Sequence, residues 1–252
     1  MTLTREHGRQ TNECRPFSFE SSPVGFAVSS ILLSMGNTKV MASVSIQDKV
    51  PPFMRGQGKG WLTAEYAMLP TSTRVRTPRE SVKGKQAGRS IEISRLIGRS
   101  LRSVTDLTLL GEKTITIDCD VLQADGGTRA ASITAASVAL DHAMNTWVAQ
   151  GLIPHNLLTE RIAALSGGLL EGGHLCVDLN QAEDNAALAD VNFVMTESGH
   201  IIEVQGTGER EPLSWENLVQ LKEMLVPQLQ KLFTASRSMA TLTSPTKNIT
   251  VQ

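Results

Sequence analysis

The sequence predicts an α/β (α+β) fold, a single domain with mixed sheets packed against helices. Strand-like alternation and helical periods follow one another along the chain from about residue 24 to residue 233. The composition, 40% hydrophobic and 19% charged over 252 residues, supports a sizeable core. It excludes a disordered, collagen-like or disulfide-scaffold protein. Neither an internal repeat nor a clean linker interrupts the chain. One domain is therefore expected over 1–235, with a Ser/Thr-rich, flexible tail over 236–252.

Each element has its own signal. Residues 24–46 alternate in apolar character around Gly36-Asn37-Thr38, which predicts two strands and a turn. The glycines and prolines of 51–60 mark a loop, and Trp61 to Leu69 reads as a short strand ended by Pro70. Residues 71–88 lack any apolar period and hold much positive charge, so they form a long exposed loop. Helical spacing of Ile93, Leu96, Ile97, Leu101 and Val104 predicts a helix over 89–105. Arg95, Arg99 and Arg102 fall on its outer face, and Arg89 in its first turn points inward. A strand over 114–122 leads to a second helix over 129–149. Two strands, Ile162 to Leu170 and His174 to Leu179, flank Glu171-Gly172-Gly173. Residues 191–196 and 201–207 form a hairpin, and a last helix spans 214–233.

Charge is divided along the chain. Residues 55–102 hold eleven basic and three acidic residues, a net of +8; residues 160–216 hold eleven acidic and two basic, a net of −9. A basic block of that size points to phosphate or nucleic acid. Cys14, Cys119 and Cys176 are too few and too scattered for a disulfide framework or a CxxC metal site, which fits free thiols in a reducing compartment. The absence of a long apolar run predicts no membrane association, and the polar N-terminus lacks a secretory apolar core, so a cytoplasmic location is expected.

Three constellations can carry chemistry. Asp125-Gly126-Gly127-Thr128-Arg129 lies between a strand and a helix. A helix N-terminus presents unpaired N–H groups to an anion, and glycine lets an oxyanion approach the backbone. Thr128 adds a hydroxyl and Arg129 a guanidinium fork. The same residues also suit a simple tight turn. Gly84-Lys85-Gln86-Ala87-Gly88-Arg89 is a second glycine-flanked basic stretch opening a helix, able to clamp a phosphate with Arg129. Asp178, Asp184 and Asp190, with Glu183 beside the middle one, suit Mg²⁺ or Mn²⁺ next to a phosphate, or are solvated loop acids. No HxxxH, HExxH, GxSxG, Walker or Rossmann spacing is present, which leaves zinc hydrolase, serine hydrolase and dinucleotide-binding readings without support.

Three long segments together resemble the bacterial ribonuclease PH family: GWLTAEYAMLPTSTRVRTPRES through SVTDL, TITIDCDVLQADGGTRAASITAASVAL, and DLNQAEDNAALADVNFVMTESGHIIEVQGTGE. The resemblance runs from about Arg5 to about Leu232. It implies a ribosomal protein S5 domain 2-like fold and a ring-shaped homohexamer, a trimer of dimers. It also implies phosphorolytic 3′→5′ trimming of tRNA precursors. Inorganic phosphate is then the co-substrate, nucleoside diphosphates are released, and the reverse reaction extends RNA 3′ ends. Carried over by position, Arg89, Gly127, Thr128 and Arg129 would bind phosphate, and Asp184 and Asp190 would hold Mg²⁺ or Mn²⁺. Arg89, Arg129, Asp184 and Asp190 would be the catalytic set. Arg74, Arg76 and Arg79 would serve RNA and subunit contacts, and Arg5, Gly8 and Arg9 fit the family's opening stretch. Thr71, Gln181, Gly208 and Arg210 depart from the family's usual residues.

Overall fold

A computed structural model describes residues 4–21, 24–240 and 248–251. Apolar alternation builds most of its strands. Phe17–Ser21 (β1) buries Phe17 and Phe19 on one side. Ser29–Met35 (β2) and Thr38–Gln47 (β3) form the expected hairpin, closed at Gly36 with φ of 53°. Trp61–Met68 (β4) is followed, after the long loop, by Gly88–Arg102 (α1) and Thr114–Gln123 (β5). Then come Thr128–Ala149 (α2), Ile162–Leu170 (β6), His174–Val177 (β7) and a short helix, Gln181–Ala186 (α3). Ala189–Thr196 (β8), Ile201–Thr207 (β9), Trp215–Ala240 (α4) and Asn248–Val251 (β10) complete the chain.

The strands form two sheets, ordered β10-β1-β2-β3-β5-β4 and β7-β6-β8-β9. Every pairing is antiparallel except β4 with β5, which are parallel because α1 carries the chain back across the sheet. Helix α2 lies between the two sheets, against β2, β3 and β5 on one side and β6 and β8 on the other. Its run of alanines lets both sheets approach closely, and it is buried on every face. The strand it meets, β6, is buried at all positions. Hydroxyls of α2 meet the backbone of β6. The Ala164 N–H donates to Thr134 Oγ1 at 2.9 Å, and the Ile162 N–H to Ser137 Oγ at 3.2 Å. One contiguous apolar core therefore runs from Phe17 and Ile31 through Leu140 and Trp147 to Phe193 and Leu232.

Several expectations are corrected. The sequence gives β1 only two phenylalanines of alternation, too short a run to stand out. Helix α3 falls in what reads as a polar connector, because it has no apolar stripe. Helix α4 was expected to end at residue 233 but runs to Ala240, with Ala235, Ser236 and Met239 buried. Strand β10 pairs with β1, so part of the expected tail is built into the first sheet. The rest of that tail, 241–247 and 252, lies outside the described residues. Among the described residues no helix is long and apolar enough to cross a membrane.

Candidate active site

The loop after β5 opens α2. Gly126 and Gly127 both have positive φ, 78° and 65°. A Cβ on Gly126 would lie 2.5 Å from the Leu179 carbonyl oxygen, so glycine is required for this loop to meet the chain before α3. Gly127 is the N-cap of α2, and no side chain caps the helix. Its first-turn N–H groups and the positive end of its dipole are therefore left to a ligand.

Those groups face a cleft of about 460 Å³. Arg89, Gly127, Thr128 and Arg129 line it from the α1 and α2 side, and Asp184 and Asp190 line it from α3 and β8. The structure thus gathers six of the residues singled out in the sequence. Ser166, Asn192, Thr207, Glu209 and Arg210 also line the cleft. Of these, only Arg210 had drawn notice, as a departure from the family's pattern. The others carry no local signal: Ser166, Asn192 and Thr207 reach the cleft through sheet register, and Glu209 from the loop after β9.

Arg129 is held in place. Its Nη1 donates to Gln205 Oε1 and its Nη2 to Glu92 Oε2, both at 2.8 Å. Its Nε is buried without a hydrogen-bond partner among the described residues. Arg89 is exposed and makes no ion pair or hydrogen bond with the described residues. Thr128 Oγ1 accepts from the Tyr66 hydroxyl at 3.1 Å, so its own proton can turn to a ligand. Burial raises the carboxyl pKa of Asp184, against the pull of Arg89 and Arg129. Burial, then repulsion from Asp184 and Glu209, raises that of Asp190. Neither carboxylate ion-pairs with a described residue.

The other acids of the cluster have different duties. Asp178 is buried outside the cleft, in the left-handed region at φ 53°. It accepts from Arg15 Nε at 2.9 Å, Arg15 Nη2 at 2.6 Å and the Arg15 N–H at 2.7 Å. Arg15 Nη1 donates to the Asp125 carbonyl at 2.5 Å, and Thr38 Oγ1 to the Gly126 carbonyl at 2.7 Å. This pair therefore pins the anion loop from behind. Glu183 forms a reciprocal capping box with Asn180 and accepts from Arg5 Nε at 2.8 Å and Arg5 Nη2 at 2.9 Å. Arg9 Nη2 reaches it at 3.3 Å. The N-terminal arginines thus fix α3, which carries Asp184.

Arg74, Arg76 and Arg79 are exposed on the loop between β4 and α1 and do not line the cleft. Two of the arginines placed on the outer face of α1 have partners. Arg99 pairs with Glu203, and Arg102 stacks over Trp61 at 4.5 Å and donates to the Leu62 carbonyl at 2.9 Å.

Donors facing an anion from one wall, and two unpartnered carboxylates on the other, define an α/β protein equipped to handle phosphoryl groups. Domain 1 of the 3′ exoribonuclease family matches residues 13–144 and domain 2 matches residues 161–224, and the chain belongs to that family. It is 49% identical over 239 residues to a Ribonuclease PH of Corynebacterium kroppenstedtii, covering 93% of this chain and 92% of that protein. It is 48% identical over 241 residues to a Ribonuclease PH of Bacillus velezensis, covering 96% and 98%. Rice Rrp46 superposes with a TM-score of 0.76 at 22% identity, covering 94% of this chain and 100% of that one. An Archaeoglobus fulgidus exosome chain, from a structure with RNA bound to the active site, gives 0.75 at 22%, covering 92% of each. These structures show the fold, which is ribosomal protein S5 domain 2-like.

Proposed function

We propose that this protein is a phosphorolytic 3′→5′ exoribonuclease that trims the 3′ ends of tRNA precursors with inorganic phosphate. The observation that carries the reading is the meeting of Arg89, the uncapped start of α2 and Arg129 in one cleft with Asp184 and Asp190.

Phosphate sits against the Gly127–Thr128 backbone, between Arg89 and Arg129. An oxygen of that phosphate attacks the phosphorus of the terminal phosphodiester in line. A new P–O–P linkage forms, the bond to the O3′ of the penultimate nucleotide breaks, and that oxygen leaves and takes up a proton. The products are a nucleoside diphosphate and an RNA one residue shorter with a free 3′-hydroxyl. The reverse reaction extends the RNA. The arginines and the α2 N–H groups stabilise the charge that gathers on the transferring oxygens.

The all-oxygen pair Asp184 and Asp190, on one wall of the cleft and without an ion pair to a described residue, fits Mg²⁺ or Mn²⁺. Among the described residues no set of three or more His, Cys, Asp or Glu is placed to hold a metal. Two carboxylates completed by substrate phosphate are therefore the arrangement inferred here. When bound, the ion would neutralise charge on the transferring phosphoryl group.

The chain acts as one catalytic unit, since α4 keeps Ala235, Ser236 and Met239 in the core and β10 joins the first sheet. Arg74, Arg76 and Arg79 guide the RNA strand and meet neighbouring subunits in a homohexamer, a trimer of dimers. The cytoplasm, where tRNA precursors and phosphate are available, is its place of work.

Incubation of the purified protein with a short RNA, with and without phosphate and Mg²⁺, tests the reading. Nucleoside diphosphates are expected only when phosphate is present. Monophosphates released equally well without phosphate would mean hydrolysis and defeat it.

A further inference from the structure

A second groove of about 600 Å³ adjoins the phosphate cleft, and Thr207, Glu209 and Arg210 line both. Its outer wall is Trp215, the first residue of α4, which is 77% exposed. The indole makes no hydrogen bond with the described residues, and its ring is among the most exposed large apolar surfaces of the chain. Leu213 and Leu218 form the apolar floor. Arg210 stands where the groove joins the cleft. Its Nη2 donates to the Asn185 carbonyl at 3.0 Å, which leaves the rest of the guanidinium for a ligand. Glu209 and Glu211 also line the groove, so it is unsuited to a free anion. It suits a flat ring with donor groups at its edge.

We propose that the groove is an RNA subsite, in which an unstacked nucleobase upstream of the scissile bond lies on Trp215 while Arg210 holds the backbone phosphate between groove and cleft. The occupant follows from continuity. A strand whose terminal phosphodiester lies in the cleft must leave it, and this groove shares three residues with it. Single-stranded RNA is recognised by stacking bases on aromatic faces and by arginine on phosphate. The carboxylates of Glu209 and Glu211 can accept from exocyclic amino groups, whereas they would repel a second phosphate.

The inference rests on the phosphorolytic reading, and the test separates the two. Diphosphate release from a short single-stranded RNA is compared in wild type, Trp215→Ala, Trp215→Phe and Arg210→Gly. Val219→Ala serves as a control, half-exposed on the same helix but outside the groove. Trp215→Ala should lower kcat/KM for RNA about tenfold, within the range of one lost base–aromatic stack, through a raised KM for RNA. The KM for phosphate should move less than twofold. Trp215→Phe should recover most of the loss, Arg210→Gly should resemble Trp215→Ala, and Val219→Ala should match wild type. In the absence of phosphate, RNA should quench wild-type tryptophan fluorescence, and that quenching should disappear in Trp215→Phe. A Trp215→Ala enzyme with wild-type KM for RNA would overturn the subsite. Quenching by RNA in a wild-type protein that releases no diphosphate would support the groove and defeat the phosphorolytic reading alone.

Discussion

Replacing Arg15 tests whether the anion loop is held from behind. Arg15 and Asp178 are buried, with side chains 4% and 1% exposed. Arg15→Met would leave the Asp178 carboxylate without its fork. The remaining cation, Arg9 Nη1, lies 3.9 Å away and is shared with Glu183. Breaking a buried pair by removing one partner costs about 3–5 kcal/mol, because the other charge stays buried. In a chain of this size each kcal/mol moves the melting temperature by about 2–4 °C, so a fall of roughly 6–20 °C is expected. The loop would also lose the donor to the Asp125 carbonyl, leaving Thr38 as its remaining side-chain tie at Gly126. Displacement of catalytic geometry by about 1 Å can cost 10²-fold, so the KM for phosphate should rise by an order of magnitude or more. Arg15→Lys keeps a charge but not the fork and should fall between the two. Thermal denaturation and diphosphate release against phosphate concentration are the assays. A melting temperature within about 2 °C of wild type, with an unchanged KM for phosphate, would refute the argument.

Arg129→Ala should retain RNA binding while phosphate-dependent diphosphate release falls on the order of 10²–10³-fold, the loss typical of a preorganised donor. Unchanged release would remove Arg129 from the mechanism. Gly126→Ala must place a methyl group 2.5 Å from the Leu179 carbonyl oxygen at φ 78°, so it should lose about 1–3 kcal/mol in denaturant unfolding and weaken phosphate binding. Wild-type values in both measurements would contradict the required close approach. Asp118, on β5, has its carboxyl pKa raised by burial, then by Glu65 and Asp120. A raised carboxyl pKa means that ionisation weakens the fold, and this penalty fades as pH falls to the ordinary value near 4. Asp118→Asn should therefore melt higher than wild type at neutral pH. Melts between about pH 3.5 and 7 should show that advantage shrinking toward the acid end, and a pH-independent difference would go against it.

The parts of the fold that the sequence discloses are those with a long period. The β2–β3 hairpin, α1 and β5 each bury a face whose spacing is visible in one window, and α2 shows as a long run of small and apolar residues. Strand β1 and helix α3 lack that property. The first needs β2 beside it before Phe17 and Phe19 become a strand. The second needs Asn180 as a cap and Arg5, 178 residues earlier in the chain, against Glu183. The anion loop is legible because its physics is local: two glycines, a hydroxyl and a guanidinium at a helix start.

The acidic stretch is harder, because Asp178, Glu183, Asp184 and Asp190 are chemically alike and close in sequence. Partners separate them. Asp178 and Glu183 each accept a forked arginine at 3 Å or less and are thereby committed to holding backbone in place. Asp184 and Asp190 have no such partner and share one wall of the cleft. The arginines divide in the same way. Arg5, Arg9 and Arg15 are buried against carboxylates, whereas Arg89 and Arg129 line the cleft and Arg89 has no protein acceptor. A buried carboxylate with a guanidinium fork has no remaining attraction for a cation, and a saturated arginine has little left for phosphate. Ion pairing within the chain thus sets Asp178 and Glu183 apart from Asp184 and Asp190, and the buried N-terminal arginines apart from Arg89. It also explains why the N-terminal arginines, remote in sequence from every motif, govern the geometry of the site.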